Sequence, residues 1–214
     1  MLNKKVLWDL SYGVYVVSCF DNDRPIGCIV NSAFQTSQNT ITISLNHQNY
    51  TNSTIKKTKN FALSILKEKS NPYIISVFGF QSSKDKNKFD SIPFKKIDEL
   101  PVIVDSVGYI ILKTKQEIEL DTHTLFVGEI VDGDIFNKET PMTYKFYHET
   151  IKGAAPKTAP TYIAPEEITK EKEIGLRYRC KICNYIYNGD ITKEKDDFLC
   201  PVCKQPKNVF EKIN

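Results

Sequence analysis

Short apolar runs, rich in β-branched and aromatic residues and separated by polar turn signals, occupy most of the first 150 positions. They cover residues 12–20 (YGVYVVSCF), 27–35 (GCIVNSAFQ), 40–45 (TITISL) and 60–66 (NFALSIL), followed by two longer runs at 107–120 and 124–136. Runs of this length bounded by Asp-Asn-Asp, Gln-Asn or Lys-Asn predict strands. Six strands joined by polar turns predict a closed antiparallel barrel, which leaves no edge open for pairing with another chain. Two helices are expected to interrupt them. One covers about residues 52–58, with Thr51, Asn52 or Ser53 available as N-cap, and the other about residues 72–77, with Asn71 ahead of Pro72 at the first helical position. A third helical stretch is MTYKFYHET, residues 142–150.

The pattern changes after residue 151. Residues 153–175 (GAAPKTAPTYIAPEEITKEKEIG) hold three Pro, several Ala and a mixed charge run with few large apolar residues, the composition of a linker. The expected organisation is a barrel over 1–151, a linker over 152–175 and a small unit over 176–214. With 214 residues, 41% of them hydrophobic, the chain has enough material for a core. Its 29 basic and 26 acidic residues are interleaved and leave a net charge of +3, which gives no nucleic-acid or membrane footprint. No run approaches the roughly 18 apolar residues of a spanning helix. No apolar secretory segment follows Lys4 and Lys5, and a cytoplasmic location is expected.

The cysteines carry the clearest chemistry. Cys19 and Cys28 lie in apolar strand runs and read as small buried residues, with a place for Cys28 beside a bound ring left open. The other four form Cys180-x-x-Cys183 and Cys200-x-x-Cys203, two turns that can each offer a pair of thiolates to one tetrahedral ion. A unit of this size cannot bury enough surface to fold without such a staple. Spacing alone suits zinc or iron. The flanking residues are Tyr178, Tyr185, Tyr187, Phe198, Pro201, Pro206 and Phe210, and with them the segment from Tyr178 to about Phe210 resembles rubredoxin. That resemblance implies one iron on four cysteine sulfurs, cycling between ferrous and ferric states. Two positions depart from it: Asn184 and Lys204 stand where rubredoxins carry Gly, and Asn tolerates a positive φ better than Lys does. The stretch between the cysteine pairs is also short, closer to the truncated iron domains of rubrerythrins.

No Walker loop, Gly-x-Gly-x-x-Gly or nucleophile triad occurs in the barrel, and three histidines, His47, His123 and His148, are too few for a His-rich metal site. Three motifs instead resemble the flavin reductase family. These are residues 27–35, then Ser44-Leu45-Asn46 leading to Asn49-Tyr50-Thr51, and Thr122-His123-Thr124 leading to Gly128. Pro141-Met142-Thr143-Tyr144 and Lys157-Thr158-Ala159-Pro160-Thr161-Tyr162 place the chain nearest the branch with flavoredoxins and the high-molecular-weight rubredoxins. The resemblance implies a mainly β, FMN-binding split barrel, usually a homodimer, followed here by the rubredoxin-like metal domain. It also implies that Asn31, Ser32 and Gln35 meet the isoalloxazine, that Asn46 and Thr51 contact the ribityl chain or phosphate, and that His123 lies near the nicotinamide face. A helix N-terminus favours a phosphate, so Thr51 and Ser53 are expected to add hydroxyl donors, and Lys84 and Lys88 positive charge. Simple capping of turns and helix also fits Asn31, Gln35, Thr51 and Ser53, and a structural role fits His123.

The combined expectation is an electron-transfer protein in which NAD(P)H reduces FMN and electrons pass singly to iron. The expected acceptor is a flavodiiron-type or other redox protein. The alternatives are a carrier without a nicotinamide site, and a flavin or small-molecule reductase with a structural zinc domain.

Overall fold

The computed structural model describes residues 4–151, 155, 159–162 and 176–213. Seven antiparallel strands form the main sheet: β1 Tyr15–Asp21, β2 Arg24–Val30, β3 Ala33–Ser37, β4 Thr40–Asn46, β5 Asn60–Ile65, β8 Gly108–Glu119 and β9 His123–Ile135. Between β5 and β8 lies a separate hairpin, β6 Phe94–Ile97 with β7 Leu100–Ile103. In space the sheet runs β2-β1-β5-β8-β9-β4-β3. Its two edge strands, β2 and β3, are joined in sequence by only Asn31 and Ser32, so the sheet must curl until its edges meet. The Ser44 N–H donates to the Ser32 carbonyl at 3.0 Å, which carries the β3–β4 ladder up to this connection. This is a split barrel. The single strand expected over 27–35 is thus two, broken at the residues that close the barrel.

Val17 and Cys19 of β1, Ile26 and Cys28 of β2, Ile43 and Leu45 of β4, and Phe61, Leu112 and Phe126 point into one core. Each of these larger side chains, fully withdrawn from water, stabilises the fold by roughly 1.5–3 kcal/mol before entropic costs. The β6–β7 hairpin escaped sequence reading because its outer strand is Phe-Lys-Lys-Ile, with the lysines exposed.

Among the described residues three α-helices accompany the barrel. Helix α1, Tyr50–Thr58, starts two residues earlier than the sequence indicates, and its N-cap is Asn49. None of Thr51, Asn52 and Ser53 caps it. Asn52 is buried, donating from Nδ2 to the Leu45 carbonyl and to Thr124 Oγ1, each at 3.0 Å, which ties the helix to β4 and β9. Helix α2, Pro72–Phe80, begins as expected, with Asn71 accepting from the Tyr73 N–H at 3.0 Å. It continues to Phe80 because the apolar run continues, burying Ile74, Ile75, Val77 and Phe78 against β2. Gly27 permits that packing: a Cβ there would stand 2.7 Å from the Val17 carbonyl and 3.1 Å from the Phe78 ring. Helix α3, Tyr144–Glu149, is capped by the Thr143 hydroxyl, which accepts from the Phe146 N–H.

A three-stranded sheet, β11-β10-β12, supports the C-terminal unit, with β10 Arg177–Cys180, β11 Ile186–Asn188 and β12 Phe210–Lys212. Tyr185, Tyr187, Phe198 and Phe210 meet edge to face around it. Most of the expected linker, including Lys157 and Thr158, lies outside the described residues. Among the described residues no helix is long and apolar enough to cross a membrane.

Candidate functional site

A cleft of about 670 Å³ opens beside the β2–β3 seam. Val14, Ile29, Val30, Ile75 and Phe78 give it apolar walls, and Asn31, Ser44, Asn46, Asn49 and His123 bring polar groups to it. The pattern suits a flat, mostly apolar ligand with a polar tail. Asn46 and His123 arrive together because β4 and β9 pair in a register that sets them opposite each other. The His123 ring is oriented by a 2.8 Å contact between Nδ1 and Thr122 Oγ1.

Three of the sequence-derived residues, Asn31, Asn46 and His123, therefore line one cleft, and the others do different things. The Asn31 carboxamide is already engaged, donating from Nδ2 to Thr161 Oγ1 at 3.2 Å and accepting from the Ser32 hydroxyl at 3.1 Å. Gln35 is exposed on β3, donating to the Gln38 carbonyl. Thr51 is buried, and its side chain lies near enough to Cys28 to influence its thiol. Ser53 donates to the Tyr50 carbonyl on an exposed face. Lys84 is exposed, outside the cleft lining.

Lys88 differs most from expectation. Instead of facing solvent with the rest of its polar loop, its ammonium is buried, donating to the Gly27 carbonyl at 2.9 Å and the Phe78 carbonyl at 3.2 Å. The Ser83 hydroxyl donates to the same Gly27 carbonyl at 3.0 Å, so the loop is pinned behind β2. Burial lowers the Lys88 pKa to about 8. Burial raises that of Cys28, against the opposing influence of the Lys88 charge and the Thr51 hydroxyl.

Sequence reading missed Phe80, Tyr147 and Thr161. Thr161 is buried and joins three elements, accepting from Asn31 Nδ2 and, through its carbonyl, from Trp8 Nε1, and meeting the Tyr144 hydroxyl at 2.7 Å. Its neighbours Ala159 and Pro160 line the cleft. Tyr147 follows Tyr144 by three residues on α3, and this spacing puts both on the buried face. His148 stacks on Trp8, with ring centroids 5.0 Å apart.

In the C-terminal unit Cys180, Cys183, Cys200 and Cys203 are buried, with all four Sγ atoms within 4.8 Å of one another. Cys180 and Cys203 are 3.6 Å apart, and Cys183 and Cys200 3.5 Å. A tetrahedral ion with metal–sulfur bonds of about 2.3 Å needs edges of about 3.8 Å, so the cage fits one. Each cysteine pair sits on a tight turn closed at 2.9 Å, by Asn184 N–H to the Cys180 carbonyl in one and Lys204 N–H to the Cys200 carbonyl in the other. Asn184 (φ 59°) and Lys204 (φ 56°) are left-handed, the conformation for which rubredoxins use Gly. Mutual sulfur contacts dominate the ionisation of the four thiols. Beyond these, burial opposes the thiolates, and the backbone N–H groups of Cys183, Tyr185, Cys203 and Gln205 offset part of that for Cys180, Cys183, Cys200 and Cys203 respectively. A pre-formed, N–H-lined thiolate cage is what a soft tetrahedral metal requires.

The model of the flavin reductase-like domain matches residues 8–153. This chain belongs to the flavin reductase family. Two related proteins add to that match. The high molecular weight rubredoxin of Moorella thermoacetica is 32% identical over 229 residues, covering 99% of this chain and 100% of the relative. The ferric-chelate reductase (NAD(P)H) of Archaeoglobus fulgidus is 34% identical over 165 residues, covering 75% of this chain and 98% of the relative. Among solved structures, the NADH:FAD oxidoreductase SgcE6 of Streptomyces globisporus superimposes with a TM-score of 0.60 at 21% identity, over 65% of this chain and 85% of that one. Members of the flavin reductase family share the split barrel seen here, and in this one the barrel is followed by a rubredoxin-like four-cysteine unit. The chain is a flavin oxidoreductase of that type.

Proposed function

We propose that the chain passes electrons from NAD(P)H, through FMN held in the cleft, to one iron held by Cys180, Cys183, Cys200 and Cys203, and from there to a redox-protein acceptor of the flavodiiron kind. The observation that carries this reading is the meeting of Asn31, Asn46 and His123 in one cleft, in a chain that also folds a pre-formed four-sulfur cage. The high molecular weight rubredoxin that aligns along the whole chain supports the pairing of the two centres. A bound flavin supplies the ability to take a hydride as an electron pair and release electrons singly.

The protein's own residues do the rest. Val14, Ile29, Val30 and Phe78 exclude water from a planar ring. Because the Asn31 carboxamide is held by Thr161 and Ser32, ring contacts from this seam fall to backbone groups of residues 30–32. Asn49, the N-cap of α1, and Asn46, at the end of β4 just before it, stand where a phosphate gains from the helix dipole. His123, set by Thr122, borders the face a nicotinamide approaches. Lys88 serves as an internal strut of β2 in place of the phosphate role read from the sequence, and Thr51 and Ser53 support α1. The barrel works as a homodimer in the cytoplasm.

Stopped-flow mixing of the FMN-loaded protein with NADH and with NADPH tests the donor side. A saturable bleaching of the flavin by at least one nucleotide is expected, and its absence with both leaves a carrier without a nicotinamide site. The ferric-chelate reductase relative, 98% of which aligns with this chain, favours a second reading in which the barrel reduces a small molecule; the cage then has only a structural part, for which zinc suffices. The visible spectrum separates them, since ferric tetrathiolate absorbs to the red of flavin and zinc does not.

A further inference from the structure

The cleft and the cage share a wall. Phe80, at the last position of α2, lines the cleft and also packs against the buried cluster of Cys180, Cys183, Cys200 and Cys203. Ile151, just beyond α3, packs against the same cluster from a position outside the cleft lining. Tyr147 is buried, lines the cleft, and lies close enough to Cys183 and Cys200 to feel their charge. Two barrel side chains, Phe80 and Ile151, thus abut the sulfur cage of the same chain, with Tyr147 close behind them. The segment leading from barrel to cage is fastened at the cleft by Thr161, through Asn31, Trp8 and Tyr144.

We propose that Phe80, Tyr147 and Ile151 form an intrachain junction on which the four-cysteine unit docks, so that the cage serves the cleft of its own chain and not that of a second copy. This rests on the proposed function above. Docking replaces a bimolecular encounter with contact inside one molecule, at an effective concentration set by the tether, and the apolar wall keeps water out of the gap. For each electron that crosses, the flavin would give up one electron and one ferric ion would become ferrous; over the electron pair that the nicotinamide delivers as a hydride, one proton leaves the reduced flavin for water.

The test uses the full FMN-loaded chain with cobalt(II) in the cage, compared by NMR with the zinc-loaded chain. In a uniformly labelled cobalt sample, amide signals of residues 77–80 and 144–151 are expected to broaden. In a mixture of labelled Cys180→Ser chains and unlabelled chains refolded together into mixed dimers before cobalt loading, the labelled signals are expected to stay sharp. Broadening in the mixture, or none in the first sample, overturns the intrachain junction. Ile151→Asp, outside the cleft, is expected to leave FMN affinity unchanged and to abolish the broadening. In the iron-loaded protein the same variant slows the concentration-independent transfer that follows flash photoreduction of the flavin by about tenfold, ~1.4 kcal/mol of docking free energy. An unchanged rate overturns the proposal. A chain that binds no cobalt at all, recognised by missing thiolate charge-transfer bands, overturns the metal-centre reading itself and is distinct from a metal-loaded chain whose unit does not dock.

Discussion

Lys204 and Asn184 hold the two left-handed turns of the cage, and the physical demand is the same at both: φ near +60°, where a Cβ crowds the backbone. Asn meets it with little cost and Lys does not. Lys204→Gly is therefore expected to stabilise the metal-loaded unit by ~1 kcal/mol, and Asn184→Gly by less, measured as the midpoint of thermal loss of the metal-thiolate absorbance. Lys88 carries the opposite kind of strain, a charge taken out of water. Its folded pKa is about 8, against an ordinary value of 10.5. Below pH 8 both states hold the proton and the cost of burying it is fully present. Between about 8 and 10.5 the unfolded chain holds more protons, so stability rises with pH. Relative to Lys88→Met, the wild-type protein should gain at most ~1.4 kcal/mol per pH unit across that window in denaturant unfolding. A flat difference contradicts a buried ammonium.

The elements show what local sequence can and cannot announce. The start of α2 was legible because Asn71 and Pro72 act within one turn, and so were the β1, β4, β5, β8 and β9 runs, whose apolar content faces one core. The break between β2 and β3 was not legible, because Asn31 and Ser32 continue an extended run and turn only where the barrel closes on itself. Nor was the start of α1. Thr51, Asn52 and Ser53 have the chemistry of caps, yet Thr51 is buried and Asn52 is taken by tertiary partners, Leu45 and Thr124. That assignment carries a contrast. Asn52→Ala, which leaves a buried carbonyl and hydroxyl without their donor, should cost about 1–3 kcal/mol in chemical unfolding. Ser53→Ala, on the exposed face, should stay within about 0.5 kcal/mol of wild type.

At the scale of the whole molecule, cysteine spacing and flanking aromatics were enough to read the cage, because all four ligands and the packing around them lie within one short segment. The cleft was only half legible: Asn31, Asn46 and His123 stand in strand motifs, while Phe80 and Tyr147 reach it through packing between elements distant in sequence. Phe80, together with Ile151, also packs against the cysteine cluster, so the two centres of one chain are joined and not independent. Anaerobic titration of the FMN- and iron-loaded protein with the nicotinamide that reduces it, followed at the flavin and ferric-thiolate absorbances together, tests that claim most directly. The account predicts that both chromophores bleach, with a total of three electrons taken up per chain at completion, two by flavin and one by iron. A ferric signal that persists after the flavin is fully reduced contradicts it.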